Sequence, residues 1–503
     1  MAEFETIAAV DLGSNSFHCQ IARVDGDHTY PLDSLREPVR LAAGLDGDKL
    51  LDEPSQTRAI ACLQRFGERL RSFHAGDVRA LGTNALRVAK NSDDFLKKAQ
   101  NALGFPIEII AGREEARLIY LGVSNGLPQS NDRRLVVDIG GGSTEFIVGE
   151  GYKPLKLDSL YMGCVSYSMR FFADGKLTKR AFREAELAAR TELQHIAEDF
   201  SSAHWRQAVG SSGTARALLY AAKTLDPAGS AITAGGLDDL RAQLLRWGNT
   251  SKISFQGVRD ERSSILPGGL AIMAAVFDEL NIKSMTVADG ALREGILLDM
   301  LGRSHHRDPR EATIEQFKQR YRVDESQARR VTTLALGLYK QLTGNELAEA
   351  RDLTWAAQLH EIGISVAYAG YHKHSAYIVA NADMPGFTRE EQQHIAELLL
   401  VHRRSLKRLP DESDTSPDWR KVFALRLAVL FCQRRRNANP PIVNARAGNK
   451  KLSLSIEPDW LANNPLTNAV LHEEIAEWAK IGYDINIRGL ADEDDGSVTS
   501  QSE

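Results

Sequence analysis

The amino-acid sequence of 503 residues predicts an α/β protein with two related α/β halves, followed by an all-helical region and a small mixed α/β region. The two halves are indicated by one pattern that occurs twice, AAVDLGSNSF at 8–17 and LVVDIGGGST at 135–144. Strand-like and helix-like segments alternate after each copy. From about 313 to 437 the strand signal fades and helical spacing dominates. These observations predict a duplicated domain pair with a cleft between the halves.

Each copy of the pattern predicts a strand-turn-strand phosphate clamp. An apolar strand ends in an aspartate, crosses a glycine-containing turn and enters a second strand, so that Asp11 matches Asp138. Glycine and other small residues let successive backbone N–H groups approach an anion closely. The expected ligand is a phosphate compound held by a metal. The predicted phosphate-binding residues are Gly13, Ser14, Asn15 and Ser16 in the first clamp and Gly140, Gly141, Gly142 and Ser143 in the second.

The elements of the first half are predicted from periodicity. A β-hairpin is expected at 6–24, because its second strand alternates apolar and polar residues. Helical spacing follows at 55–74 and at 92–103, and strands are expected at 78–83 and 107–112.

The second half restarts at the second clamp and adds a third glycine-rich loop. A long helix is predicted at 178–201 and a strand at 206–210. The loop that follows the strand opens another helix, and a helix N-terminus favours an anion. Candidates for a third wall of the same site are therefore Gly210, Ser211, Ser212, Gly213 and Thr214.

The remainder of the chain divides where its composition changes. HHRDPREAT at 305–313 is polar and predicts a linker. Residues 440–490 return to mixed β character, and the acidic segment 492–503 is expected to be disordered. The predicted domains are 1–123 and 124–305, each α/β with one clamp, a helical domain at 306–440 and a C-terminal α/β domain at 441–503.

Composition favours a soluble cytoplasmic protein. The chain has no run of 18 apolar residues and no signal-peptide pattern, and its four cysteines show no CxxC spacing, which argues against a zinc site. The net charge of −5 conceals a basic stretch at 401–451, with 13 Lys and Arg against 4 Asp and Glu. This stretch is a candidate polyanion track, with a solvated helix face as the alternative.

Three carboxylates are candidate metal ligands. Hydrolysis of a phosphoanhydride needs neutralisation of the phosphoryl charge, an aligned water and often a base. Asp138 and Glu145 flank the second glycine turn and could hold Mg²⁺, which takes oxygen ligands, and Asp11 occupies the equivalent position in the first clamp. The alternatives are a turn-capping aspartate and a solvent-facing glutamate.

The segment GREEARLIYLG at 112–122 predicts a helix with adjacent acids. Glu115 shares a face with apolar residues and should point inward, either as a general base of raised pKa or as the partner of an arginine such as Arg87. Glu114 lies beside Arg117 and could be a surface ion pair or a boundary residue. Arg87 itself could grip phosphate oxygens or pair with a carboxylate.

The chain resembles the exopolyphosphatase and guanosine pentaphosphatase (Ppx/GppA) family, which has the actin-like, ribonuclease H-like ATPase superfold. The resemblance covers nearly the whole chain and rests on AAVDLGSNSFH, GTNALR, GREEARLIYLGV, VVDIGGGSTEF, MGCVS, GSSGTARA and ADGALREGIL. It implies that Glu115 is the catalytic base, that Asp138 and Glu145 are metal-site acids, and that the three glycine-rich turns bind phosphate.

Within this resemblance, LHEIG at 359–363 is similar to the HD phosphohydrolase-like helical domain. The chain departs from an active HD site, because His360 is followed by Glu361, no His occurs from 307 to 359 and the later helix RLAVLFCQRRR lacks Asp. We therefore predict a helical scaffold for the substrate without a metal, in which His360 is a hydrogen-bonded core residue.

The resulting hypothesis is an exopolyphosphatase that processively removes terminal orthophosphate from long-chain inorganic polyphosphate with Mg²⁺, and with K⁺ as a further cation. The alternatives are a guanosine pentaphosphate 5′-phosphohydrolase and, more remotely, an ATP-binding kinase or ATPase. Nucleic acid is not an expected partner, because few aromatics accompany the basic stretch. The resemblance suggests a homodimer, and peripheral membrane association is left open. The expected polyphosphate channel consists of Arg403, Arg404, Lys407, Arg434, Arg435 and Arg436.

Overall fold

The computed structural model of the chain divides into two compact units, Met1–Pro309 and Arg310–Glu503. Within the described part of the chain, none of the helices is long and apolar enough to cross a lipid bilayer. The structure describes residues 5–25, 28–128, 130, 132–227, 229–304, 309–344, 350–407, 418–433, 435, 441 and 443–490.

Two β-sheets form the framework of the first unit. The strands of the first sheet are β1 (Thr6–Leu12), β2 (Phe17–Asp25), β3 (His28–Glu37), β4 (Val78–Gly82) and β5 (Ile107–Ile109). Those of the second sheet are β6 (Arg134–Ile139), β7 (Thr144–Glu150), β8 (Lys153–Leu160), β9 (Gln207–Ser211), β10 (Ile232–Thr233) and β11 (Ser284–Val287).

The two sheets have the same topology. The first is ordered β3-β2-β1-β4-β5 and the second β8-β7-β6-β9-β11, with β10 added at its edge. In each sheet, the first strand pairs antiparallel with the second and parallel with the fourth. The predicted duplication is confirmed by this shared order, and each clamp is the turn between the first two strands of its sheet.

Helices cover these sheets, and their burial follows their apolar faces. The helices of the first unit are α1 (Glu53–Leu70), α2 (Asn84–Val88), α3 (Ser92–Leu103), α4 (Gly112–Asn125), α5 (Cys164–Phe171), α6 (Lys179–Leu193), α7 (Ser212–Leu225), α8 (Ala234–Trp247), α9 (Asp260–Ser263), α10 (Leu266–Glu279) and α11 (Leu292–Ser304). Because α10 is apolar on nearly every side, it packs against α5, α6, α7 and α8 in the interior of the second half.

Strand β1 divides its side chains between two apolar cores, because successive residues of a strand point to opposite faces. Ala8 and Val10 join the core under α1 and α3, whereas Ile7 and Ala9 join the core with α4 and α11. Although α11 follows the second half in the chain, it packs against α4 and β1 of the first half. The first half is therefore built from two separate segments of the chain.

The second unit has one continuous apolar core that includes both helices and sheet. Its elements are α12 (Pro309–Arg320), α13 (Glu325–Thr343), α14 (Arg351–Leu359), α15 (Tyr371–Asn381), α16 (Arg389–Val401), α17 (Trp419–Phe431), β12 (Val443–Gly448), β13 (Lys451–Ile456), α18 (Pro458–Ala462), α19 (Pro465–Ala479) and β14 (Asp484–Arg488). The sheet is ordered β12-β13-β14, with β12 and β13 antiparallel and β13 and β14 parallel.

Most predicted elements are confirmed, and three differ. β3 was not predicted; it contains Pro31 and is an edge strand, where proline is tolerated. α6 ends at Leu193 rather than at 201. Part of the predicted linker is already helical, since α12 begins at Pro309, while 305–308 and the acidic tail lie outside the described residues.

Candidate active site

The two phosphate clamps come together in the first unit. A Cβ atom added to Gly141 would lie 2.9 Å from the Ser14 Cβ and 3.3 Å from the Asn15 backbone nitrogen, so only glycine permits this approach of the two turns. Around the two turns lies a cavity of about 890 Å³. This volume is in the range of ligand-binding pockets, about 300–1,000 Å³.

The third glycine-rich loop is tied to the second clamp. The hydroxyls of Ser212 and Thr214 both donate to the backbone oxygen of Ile139, at 3.0 and 2.8 Å. Ser212 has a φ of 74°, which is a strained backbone conformation for a residue with a side chain and is typical of functional sites. The three loops predicted from the sequence therefore form one site.

Most of the predicted loop residues line the cavity. These are Gly13, Ser14, Asn15, Ser16, Gly140, Gly141, Ser143, Ser212, Gly213 and Thr214. The lining formed by the described residues does not include Arg87, Gly142, Gly210 or Ser211.

Four carboxylates meet on one wall of the cavity. Asp11, Glu115, Asp138 and Glu145 all line it, and Asp138 lies opposite Glu145 in the antiparallel pairing of β6 and β7. The Ser159 hydroxyl donates to Glu145 Oε1 at 2.8 Å. Asp11 Oδ1 and Glu145 Oε2 are buried without a hydrogen-bond partner among the described residues.

Burial destabilises the charged forms of the carboxylates in this acidic wall. It raises the pKa of Asp11 to about 7, with a further contribution from the Glu115 charge, and it raises the pKa of Asp138 to about 6 against the hydrogen bond from Ser211. The pKa of Glu145 is held well above its usual value by burial and by the charges of Glu115 and Asp138. A cation in the cavity would relieve this repulsion.

Glu115 extends from the first turn of α4 and bonds Arg87. The guanidinium Nη1 of Arg87 lies 3.2 Å from Glu115 Oε2 and 2.8 Å from the backbone oxygen of Ile110. Burial raises the pKa of Glu115, while Arg87 opposes the rise. Glu115 is therefore paired with Arg87, as one of the two alternatives expects, and its side chain also lines the cavity, while its role as a base stays a prediction.

Glu114 is more buried than its helical position predicted. Its side chain is 1% exposed, and both its oxygens accept from Arg117, at 2.7 and 2.8 Å. Arg117 also donates to Asp299 of α11 at 2.6 Å. The predicted partner of Glu114 is thus present, but the pair lies in the interior rather than on the surface.

Five arginines that line the cavity were not predicted from the sequence. Two of its arginines, Arg216 and Arg293, occur inside motifs that were recognised for other reasons, GSSGTARA and ADGALREGIL, and could have been found there. The others lie in segments without a motif. The arginines that line the cavity are Arg36, Arg216, Arg259, Arg262 and Arg293.

The second unit agrees with the expectation of a core histidine. His360 is 1% exposed, and its Nδ1 lies 2.8 Å from the backbone oxygen of Ala357. Burial lowers the pKa of His360 to about 4. Throughout the described residues, no group of three or more His, Cys, Asp or Glu side chains is arranged to hold a metal ion by itself.

The basic stretch is partly neutralised by carboxylates. Arg435 Nη2 lies 2.5 Å from Glu361 Oε1, and the buried Arg426 pairs with Glu474. Arg403 stacks on the Tyr371 ring at 4.9 Å, whereas Arg404 and Lys407 are exposed. Arg434 and Arg436 of the expected channel lie outside the described residues.

Comparison with known proteins identifies the family. A model described as the Ppx/GppA phosphatase family matches residues 20–304, and one described as Ppx/GppA phosphatase, domain III, matches 310–475. The chain belongs to the Ppx/GppA phosphatase family. It is therefore a hydrolase of this family, and the resemblance noted from the motifs is confirmed.

Two similar relatives share a name. A protein of Aliivibrio fischeri is 40% identical over 488 residues, covering 95% of this chain and 97% of the relative. One of Photobacterium profundum is 39% identical over 483 residues, covering 95% and 96%. Both are named guanosine-5′-triphosphate,3′-diphosphate pyrophosphatase.

Solved structures confirm the actin-like fold. An exopolyphosphatase from Cytophaga hutchinsonii matches with a TM-score of 0.54 and 24% identity, covering 59% of this chain and 97% of its own. A Ppx/GppA family member from Aquifex aeolicus matches with a TM-score of 0.51 and 24% identity, covering 60% and 100%.

Proposed function

We propose that this protein hydrolyses the terminal 5′ phosphoanhydride of guanosine 5′-triphosphate 3′-diphosphate. The substrate is inferred from one observation, the name shared by relatives that are about 40% identical over 95% of the chain. These relatives favour the guanosine pentaphosphate 5′-phosphohydrolase, the alternative considered from the sequence, over the long-chain polyphosphate hypothesis. A cavity with clamps, acids and five arginines suits a compact, highly charged nucleotide.

In the proposed reaction, the oxygen of a water molecule attacks the terminal phosphorus and the bond to the bridging oxygen breaks. Glu115 accepts the proton of the water, while Arg87 holds the carboxylate in place. The backbone N–H groups of the two clamps stabilise the charge on the phosphoryl oxygens. The products are orthophosphate and guanosine 5′-diphosphate 3′-diphosphate.

The acidic wall fits Mg²⁺ as the cation of this reaction. Its donors are carboxylate oxygens, and two of them, Asp11 Oδ1 and Glu145 Oε2, are buried without a hydrogen-bond partner in the described part of the chain. Since no three acidic side chains among the described residues are arranged to hold an ion by themselves, phosphate oxygens and water would complete its coordination. When bound, Mg²⁺ would neutralise charge on the phosphates. Asp11, Asp138 and Glu145 are the residues that would hold it, and a K⁺ ion remains a prediction.

Long-chain polyphosphate is the second candidate substrate. In its favour, Arg404 and Lys407 are exposed, as a channel requires. Against it, the charge of Arg435 is offset by Glu361. The homodimer that the family resemblance suggests and the peripheral membrane association stay predictions.

A direct comparison of substrates tests the proposal. Orthophosphate release is measured from guanosine 5′-triphosphate 3′-diphosphate, long-chain polyphosphate and ATP under the same Mg²⁺ concentration, with the Glu115→Gln variant as the background. We expect the guanosine substrate to have the highest kcat/KM. A higher value for polyphosphate would restore the exopolyphosphatase hypothesis, and a higher value for ATP would favour an ATPase.

A further inference from the structure

Tyr220 lies at the far end of a helical face that lines the cavity. Helix α7 begins beside the third glycine-rich loop, and its residues Gly213, Ala217 and Tyr220 all contribute to the lining. Positions separated by three, four and seven residues lie on one face of an α-helix. Because seven residues of helix span about 10 Å, Tyr220 lies one to two turns beyond the predicted phosphate-binding loop.

Another face of α7 fixes the helix without the ring of Tyr220. Ala215, Leu218 and Ala221 of this helix belong to the apolar core of the second half. Tyr220 is 46% exposed and is not part of that core. Removal of its ring therefore leaves the core packing of α7 in place, and the ring is accessible to a ligand in the cavity.

The backbone of Gly257 lies against one side of the Tyr220 ring. A Cβ atom added to Gly257 would lie 3.4 Å from Tyr220 Cγ and 3.6 Å from its Cδ1, which is van der Waals contact. Gly257 has a φ of 83°, in the left-handed region that favours glycine. The loop thus reaches the ring in a conformation that glycine permits, and it restricts the positions that the ring can take.

This end of the cavity contains apolar surface. Ala217, Tyr220 and Val258 add it to a lining that is otherwise rich in charge. Phosphate groups are bound by N–H donors and cations, which these three side chains do not supply. A planar nucleobase, in contrast, stacks on an aromatic ring, because every base has a π-face. Long-chain polyphosphate has no such group, so this surface favours a nucleotide over the polymer.

We propose that Tyr220 stacks on the purine base of the substrate and gives the cavity its affinity for a nucleoside. The identity of the base as guanine rests on the proposed function. Because stacking tolerates any base, Tyr220 favours nucleotides over base-free phosphates and does not choose between guanine and adenine. Gly257 restricts the ring before the ligand arrives, so little side-chain freedom is lost on binding.

Binding of the reaction product, guanosine 5′-diphosphate 3′-diphosphate, to the full chain tests the stacking without turnover. We expect calorimetry to show an affinity roughly 5- to 150-fold weaker for Tyr220→Ala than for the wild type, the range of base stacking on an aromatic ring. Tyr220→Phe keeps the ring and should bind as the wild type does. Tyr152→Ala removes a tyrosine of similar exposure, 48%, from outside the cavity lining and should also bind unchanged.

Inorganic pyrophosphate, which has no base, separates stacking from a general disturbance of the cavity. Its affinity should be the same for Tyr220→Ala and the wild type. Three results would overturn the proposal: wild-type protein that does not bind the guanosine product, a Tyr220→Ala variant that binds it unchanged, or equal losses for the product and pyrophosphate.

Hydrolysis judges the proposed function separately. If guanosine 5′-triphosphate 3′-diphosphate is the preferred substrate and its KM is unchanged in Tyr220→Ala, the proposed function stands and the stacking is wrong. If the product binds through Tyr220 but the guanosine substrate is not hydrolysed, the stacking stands and the proposed function is wrong.

Discussion

Glu115 combines two properties that the sequence presented as alternatives. Arg87 holds it with a 3.2 Å contact, and the same carboxylate faces the cavity between the two clamps. A paired carboxylate keeps a fixed orientation, and burial still raises its pKa toward the range of a useful base. Glu115 is therefore suited to the proposed role of base, because Arg87 fixes its orientation and its carboxylate lines the cavity.

Replacement of Glu115 tests the base directly. Glu115→Gln should lower kcat about 10²- to 10⁴-fold with little change in KM, because the amide keeps the size of the side chain but cannot accept the proton. Steady-state release of orthophosphate measures both parameters. Glu184→Gln, on the exposed face of α6, is the matched control and should retain wild-type kinetics. A kcat of Glu115→Gln close to that of the control would remove the base assignment.

The raised pKa values predict a pH dependence that responds to metal. Asp11 and Asp138, with pKa values of about 7 and about 6, must ionise before they can hold a cation. At low Mg²⁺ concentration, kcat/KM should therefore fall as the pH drops below about 7. A higher Mg²⁺ concentration favours the ionised form and should move this fall to lower pH. Profiles that coincide at two Mg²⁺ concentrations would contradict the proposed metal ligands.

At the scale of elements, α4 is held in place by a buried ionic network. Asp299 of α11 accepts from Arg79 of β4 and from Arg117 of α4, both at 2.6 Å. Arg117 in turn holds Glu114, the residue next to Glu115. Helix α4, which carries the proposed base, is thus connected to two other elements by charges that are almost fully buried.

Removal of Asp299 should destabilise the fold more than it disturbs the chemistry. Asp299→Asn leaves two buried arginines without full charge compensation, and we expect a loss of about 3–5 kcal/mol in the free energy of unfolding. Chemical denaturation of the first unit measures this loss. Glu186→Gln breaks the partly exposed pair with Arg241 and should cost no more than about 1 kcal/mol. Equal losses in both variants would show that the network does not hold α4.

The sequence predicted the elements whose patterns are local and missed those decided by long-range contacts. The hairpin of β1 and β2, helix α3 and the third loop follow from alternation, helical spacing and glycine placement. The position of Glu114 could not be predicted, because its burial depends on Asp299, 185 positions later in the chain. Arg36 and Arg262 were missed for the same reason, since only folding brings them to the clamps.

At the scale of the whole molecule, the second unit contains two histidines that are buried as neutral groups. Burial lowers the pKa of His360 to about 4 and lowers that of His402 well below its usual value. In an unfolded chain both titrate near about 6.5. Between these values the unfolded chain binds more protons, so the stabilisation is complete above about pH 6.5 and declines as the pH falls toward 4.

Urea denaturation at about pH 7.5 and about pH 5 tests this acid sensitivity. Tryptophan fluorescence mainly reports the second unit, which holds Trp355, Trp419, Trp460 and Trp478 of the six tryptophans in the chain. We expect a lower midpoint at the acidic pH, and a smaller difference between the two pH values for His402→Gln. His374→Gln changes a partly exposed histidine of the same unit and should keep the wild-type difference. An unchanged midpoint at the acidic pH would show that these histidines are not buried as neutral groups.

Helix α11 packs in the first half although the ribosome translates it after the second half. Ile296 and Leu297 pack with Ile7 and Leu118, so the core beneath α4 needs residues from both ends of the first unit. A nascent chain that has emerged only as far as the second clamp lacks this helix, and its Arg117 lacks the partner Asp299. The second half can fold on its own sheet in the meantime. The last ionic support of α4, the helix that carries the proposed base, is therefore translated only when the first unit is nearly complete.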